Sequence, residues 1–240
     1  MKGFSGTGWA ITAALGLAAC GGGDGNTTRP PPPPTTFNLQ AGVGNMLAHG
    51  LSVNVTLSGT VNVNGTSQPF TGTGAYSRSP GSSTTFNGTA AVSQVEAISG
   101  TVSAAGQSQP YSTSVTDFYA PGNSAFVGEV DSNEYDVAQA PFVFPTSIVG
   151  GSSGVLGTVS RYTDKTMSVP IGTAQLSYST LSPVDPGSPA AVTLTDKIYD
   201  SKNTLIETDT TQYSLDSNNV LSFISASTQT PSGSLTINAH

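Results

Sequence analysis

The stretch LSGTVNVNGTSQPFTGTGAYSRSPG, Leu57–Gly81, decides the fold once it is set against ISGTVSAAGQSQPYSTSVTDFYAPG, Ile98–Gly122, which begins 41 residues later. The two align without a gap. Ser58-Gly59-Thr60-Val61 falls on Ser99-Gly100-Thr101-Val102, Ser67-Gln68-Pro69-Phe70 on Ser108-Gln109-Pro110-Tyr111, and Pro80-Gly81 on Pro121-Gly122. Turn residues and apolar positions are kept together, which a general Ser/Thr bias would not achieve, so the pattern reads as a structural repeat. Each unit is a strand, a Gly-centred turn, a second strand and a Pro-Gly turn. Asn64-Gly65 in the first unit favours the type I′ turn of a two-residue hairpin.

Outward from this stretch the same period persists. Val53, Val55 and Leu57 alternate with Asn54, Thr56 and Ser58, the signature of a half-buried strand. Gly157–Tyr162, Gly172–Thr180, Val192–Tyr199, Leu205–Tyr213 and Leu221–Ser227 read as further strands. A second, shorter echo, Asp200-Ser201-Lys202-Asn203-Thr204-Leu205 and Asp216-Ser217-Asn218-Asn219-Val220-Leu221, supplies polar corners between strands. Helical periodicity is confined to 37–48, where Gly42, Gly44 and Gly50 weaken it. The predicted class is all-β, with antiparallel sheets forming a sandwich or a curled half-barrel from one or two packed β units. Pro141, Pro145 and Gly150-Gly151 mark the expected boundary, giving a β domain with the internal repeat at 37–144 and an antiparallel β meander at 145–240.

Charged residues make up 9% of the chain and the formal net charge is −7, so uncharged polar groups must cover most of the surface. An acidic chain of this kind lacks the basic patch that nucleic acid requires. Cys20 is the only cysteine, which excludes an intramolecular disulfide and zinc–cysteine sites. Met1, Lys2 and the apolar run from Trp9 to Ala19 form a charged n-region and an h-region shorter than the roughly 20 residues a membrane span needs. They close on Leu17-Ala18-Ala19-Cys20. The flexible Gly21-Gly22-Gly23-Asp24-Gly25 follows, and then Pro30–Pro34, a polyproline rod adding roughly 15 Å of stiff spacer.

The run Leu17-Ala18-Ala19-Cys20 resembles a bacterial lipobox, and with the Gly/Pro tether and the Thr-rich body the chain is similar to the uncharacterised outer-membrane lipoproteins of proteobacteria. The resemblance implies a signal peptide at 1–19, acylation of Cys20, a tether at 20–36 and a lipid anchor in the cell outer membrane, on its periplasmic or surface face. Gly21, in place of the aspartate that marks inner-membrane retention, agrees with that destination. It implies location rather than activity.

Residues arranged for chemistry are few. His49 and His240 sit in no motif, and no Gly-x-Ser-x-Gly elbow, phosphate loop or His-Glu-x-x-His pair occurs. No cofactor is expected. Asp131, Glu134 and Asp136, with Glu129 beside them and Asp117 upstream, are weak calcium candidates whose spacing is not that of an EF-hand; a hydrated acidic turn is the plainer reading. The sequons at Asn54, Asn64 and Asn87 are by-products of composition. Phe70, Tyr111, Phe118, Phe142 and Phe144 are expected in the core, with Tyr119 and Tyr135 as exposed rings. The expected function is therefore a lipid-anchored, non-enzymatic envelope protein that binds another envelope component or serves structurally. The alternative is a carrier whose curled sheet holds an apolar ligand against Val192, Leu194, Ile198 and Phe223. A hydrolase comes last, since no cleft gathering carboxylates is evident from sequence.

Overall fold

The computed structural model describes residues 35–63, 65–181 and 187–240, and the segment Pro34–His240 forms one unit. The expected signal peptide at 1–19, Cys20 and nearly all of the expected tether lie outside the described residues. Among the described residues there is one helix, α1 (Leu39–His49), followed by β1 (Leu51–Val63), β2 (Thr66–Arg78), β3 (Ser82–Phe86), β4 (Thr89–Ala104), β5 (Gln107–Tyr119), β6 (Phe126–Val130) and β7 (Tyr135–Phe142). After these come β8 (Ser153–Tyr162), β9 (Pro170–Leu181), β10 (Ala190–Asp200), β11 (Leu205–Leu215), β12 (Leu221–Thr230) and β13 (Gly233–Ala239).

Every strand pair is antiparallel, and neighbours in sequence pair with each other apart from β2 and β3. β1 pairs with β13, β2 pairs with β4, and β3 lies beside the first half of β4 on the same edge that β2 occupies further along. The β2–β4 pairing closes the sheet into a barrel of twelve strands with β3 as an extra strand. The all-β antiparallel class expected from sequence is thus realised as a curled sheet, and the curl runs to closure. Closure removes the exposed edges of a half-barrel.

The repeat explains where the ring closes. Its two copies are the hairpins β1–β2 and β4–β5, and their inner strands β2 and β4 pair with each other. In the second hairpin Ala105 and Gly106 have φ of 48° and 77°, the left-handed pair of a type I′ turn; Gly65 in the first has φ 80°, while Asn64 lies outside the described residues. At the seam Gly74 faces Gly100. A Cβ on Gly74 would stand 2.2 Å from the Ser99 carbonyl oxygen, so the bare backbones are what let the two hairpins meet this closely.

Alternation then sorts the residues. Val53, Val55 and Leu57 of β1 turn inward, while Ser52, Asn54 and Thr56 face water. Ser112 and Ser114 do the same on β5. The main apolar cluster lies inside the barrel, while Val95, Val155, Leu181 and Ile224 are exposed. No helix among the described residues is long and apolar enough to cross a membrane.

β7 pairs with β8 across the expected boundary, so residues 37–144 and 145–240 contribute strands to one sheet and side chains to one core. That core sits at the end of the barrel covered by α1. Asn38 caps the helix by accepting from the Ala41 N–H at 2.9 Å, and Gly50 ends it with φ 69°. Leu39, Val43, Met46 and Leu47 are buried beneath it. Gly42, which weakens the helix in sequence, is where α1 rests on the barrel: a Cβ there would lie 3.0 Å from Leu215 and 3.1 Å from Leu221. Outside the barrel, Phe86 of β3 stacks on Phe118 at 4.4 Å and Tyr135 at 5.2 Å, over Gly128, and the Tyr135 hydroxyl donates to Asn87 Oδ1 at 2.6 Å. This aromatic clasp fixes the extra hairpin.

Candidate functional site: a charged lumen

Below α1 the barrel is not packed solid. A cavity of about 730 Å³ runs from Leu39, Val43 and Met46 to Val61, Ser232 and Gly233 at the opposite hairpin ends. Val61 is 44% exposed, so the lumen opens on the side away from the helix. Its volume lies within the roughly 300–1,000 Å³ of small-molecule sites. Phe126, Phe142 and Phe144 line the floor; Leu176, Leu194, Ile198 and Ala226 line the wall; Phe70, Ile98, Tyr111 and Leu235 stand nearer the mouth.

Across this apolar lining runs a belt of charge. On neighbouring strands Gln94, Asp117, Glu129, Asp136 and Arg161 are paired in register, each at the parity of the inward-facing residues. Arg78 pairs with Glu96 between β2 and β4, and Asp196 with Asp209 between β10 and β11, where Glu207 also lines the cavity. The arginines gather most of the hydrogen bonds. Arg78 donates to Asp117 Oδ2 at 3.0 Å, Gln94 Oε1 at 3.1 Å and the Tyr76 hydroxyl at 3.1 Å, and forms an ion pair with Glu96. Tyr76 in turn bonds Tyr213 at 3.1 Å and stacks on Phe223 at 4.0 Å. Gln94 ties this network to the plug, donating to the Met46 carbonyl at 3.1 Å and the Ser79 carbonyl at 2.8 Å. Arg161 bonds Glu134 and lies 3.6 Å from Asp136.

Carboxylates outnumber these two cations. Burial, with repulsion from Asp117, Asp136 and Asp196, holds the Glu129 carboxyl well above its usual range. Burial pushes Asp136 up to about 7 against the pull of Arg161, and burial with the Asp209 charge raises Asp196 to about 6. Glu207 rises to about 7 for the same two reasons. Several of these groups therefore hold protons near neutrality. Among the described residues, the buried side-chain atoms without a hydrogen-bond partner are Asp136 Oδ1, Arg161 Nη1, Asp196 Oδ1 and Asp209 Oδ1. All four belong to the belt.

The sequence-predicted residues scatter with respect to this site. Leu194 and Ile198 line the cavity as expected, whereas Val192 and Phe223 are buried in the packed floor. Asp131, Glu134 and Asp136 do not converge. Asp131 Oδ1 accepts from the Asn133 and Glu134 N–H groups at 2.6 and 2.7 Å and closes the turn, while Glu134 and Asp136 both face Arg161. Tyr119, expected to be exposed, is 3% exposed because β5 turns it inward against Phe126, and Phe118, expected in the core, joins the outer clasp. The carboxylates around a cavity, which sequence did not reveal, were signalled by parity: Asp196 stands between inward Leu194 and Ile198, and Arg78 two residues after Tyr76.

No protein family model and no curated protein matches the chain. Among solved structures it is similar to a domain from Vibrio parahaemolyticus assigned as an outer membrane lipoprotein-sorting protein, at 11% identity and TM-score 0.31 over 84% of this chain and 91% of that one. A DUF1329 family protein from Desulfovibrio piger is similar at 8% identity and TM-score 0.27, over the same shares of the two chains. Likeness at this level assigns neither an activity nor a ligand.

Proposed function

We propose that the chain is a lipid-anchored envelope protein that binds a small, largely apolar molecule inside its barrel. The observation that carries this reading is the open lumen of about 730 Å³. Protein interiors are close-packed, and a barrel of packed side chains would have no such space. The Ser/Thr outer face keeps the barrel in water, and the lipobox with its glycine and proline tether supplies the anchor. Carrier and binding component are then one reading: the tether gives reach, and the mouth away from α1 gives entry.

N-phenyl-1-naphthylamine, a neutral fluorophore that brightens in apolar surroundings, tests the cavity. It is expected to bind the wild-type barrel saturably at one site, and Thr211→Trp, which fills the lumen from β11, is expected to abolish the signal while circular dichroism is unchanged. Equal fluorescence from both proteins would refute an internal site. For the anchor, Cys20→Ser is expected to release the protein from membranes of its host, and an unacylated wild-type Cys20 by mass spectrometry would contradict it.

Hydrolysis stands second. Asp196 and Asp209 are cross-strand partners beside a cavity, both held above the usual carboxylate range mainly by burial, and paired carboxyls are the equipment of acid–base chemistry. Turnover of aryl glycosides by the purified chain, lost in Asp209→Asn, would move that reading to the front.

A further inference from the structure

The charge inside the lumen is unbalanced in one direction. Arg78 is engaged by Glu96 and Asp117, and Arg161 by Glu134 and Asp136. That leaves Glu129 on β6 and the Asp196–Asp209 pair on β10 and β11 facing the cavity with no salt bridge among the described residues; Arg161, which keeps Nη1 unbonded, acts on Asp196 and Asp209 only at longer range. Asp136, whose side chain is only 4% exposed, keeps one oxygen unbonded, as do Asp196 and Asp209. Buried acceptors without partners cost free energy, and an unpaired buried carboxylate costs more. Such a wall repels an anion and gains from a cation.

The lining settles what kind of cation. Among the described residues no three His, Cys, Asp or Glu side chains converge as ligands to one metal ion. The belt is instead flanked by Leu176, Leu194, Ile198 and Ala226, in a space large enough for an organic body. Building on the internal binding site proposed above, we infer that the ligand is an amphiphilic cation: an apolar body bearing a protonated amine or quaternary ammonium, its charge seated among Glu129, Asp196 and Asp209. An ammonium there offsets the mutual repulsion of the carboxylates and donates to their free oxygens, and the hydrocarbon covers the apolar wall.

Titration calorimetry of the purified chain with octylamine, 1-octanol and octanoate, at about pH 7.5, separates head group from tail. Octylamine is expected to bind one-to-one and at least about ten-fold more tightly than octanol, with octanoate weakest. In the Asp196→Asn/Asp209→Asn variant that preference is expected to disappear while octanol binding stays, and Glu129→Gln is expected to reduce it independently should the double variant fail to fold. Octanol or octanoate binding as tightly as octylamine would overturn the cation assignment and leave the internal site standing. Failure of all three, together with failure of N-phenyl-1-naphthylamine, would remove the site itself.

Discussion

Arg78 is the side chain whose loss the barrel is least able to absorb. It holds Glu96 and Asp117 on adjacent strands and reaches Tyr76, itself fully buried. Replacing one partner of a buried network strands the others, a cost of roughly 3–5 kcal/mol. Arg78→Met is thus expected to lower the unfolding free energy measured by urea denaturation by that order, and adding Glu96→Gln and Asp117→Asn is expected to restore most of it. Recovery that failed would mean Arg78 acts by shape rather than charge. Gly157 makes a smaller, steric case: a Cβ there would stand 2.0 Å from the Phe142 ring. Gly157→Ala is expected to cost about 1–3 kcal/mol through displacement of that ring. An unchanged melting curve would show that the floor repacks freely.

At the scale of elements, the twin corners show how much sequence alone can specify. Asp200 Oδ1 accepts from the Lys202 and Thr204 N–H groups at 2.9 and 2.8 Å, and Asp216 Oδ1 from Asn218 and Val220 at the same distances; Asn203 and Asn219 each take φ 61°. Those six-residue echoes were readable because local chemistry decides a turn. Asp200→Ala and Asp216→Ala are each expected to cost about 1 kcal/mol, and the two costs are expected to add in the double variant, as chemical denaturation can check. The 41-residue repeat was legible for the same reason, both copies being hairpins held by near neighbours. Closure was not. It depends on β2 meeting β4 and on β13, which carries no strong local signal, fitting between β1 and β12. Nor did the proline and glycine residues between Pro141 and Gly151 mark a break, since they bend one connection without interrupting the sheet.

For the whole molecule, the decisive property is an interior that is charged as well as hollow, and parity along each strand was the only sequence clue to it. Its carboxyls bind protons more tightly folded than unfolded: Asp136 rises from 3.8 to about 7, Asp196 from 3.8 to about 6 and Glu207 from 4.5 to about 7. Between about pH 4 and about pH 7 the folded state therefore holds more protons than the unfolded chain, so unfolding free energy falls as pH rises through that window. The stabilising contribution is present at the acid end and lost toward neutrality. Thermal melts are expected to show a midpoint several degrees higher near pH 5 than near pH 8, and saturating octylamine is expected to flatten the difference. A midpoint rising through the same interval would contradict the charge placement. The most direct test of the hollow barrel is a crystal structure grown with N-phenyl-1-naphthylamine. The ring system is expected between α1 and the hairpin ends, in contact with Leu194, Ile198 and Ala226; a lumen filled by packed side chains, with the fluorophore on the outer Ser/Thr face, would overturn the hollow barrel.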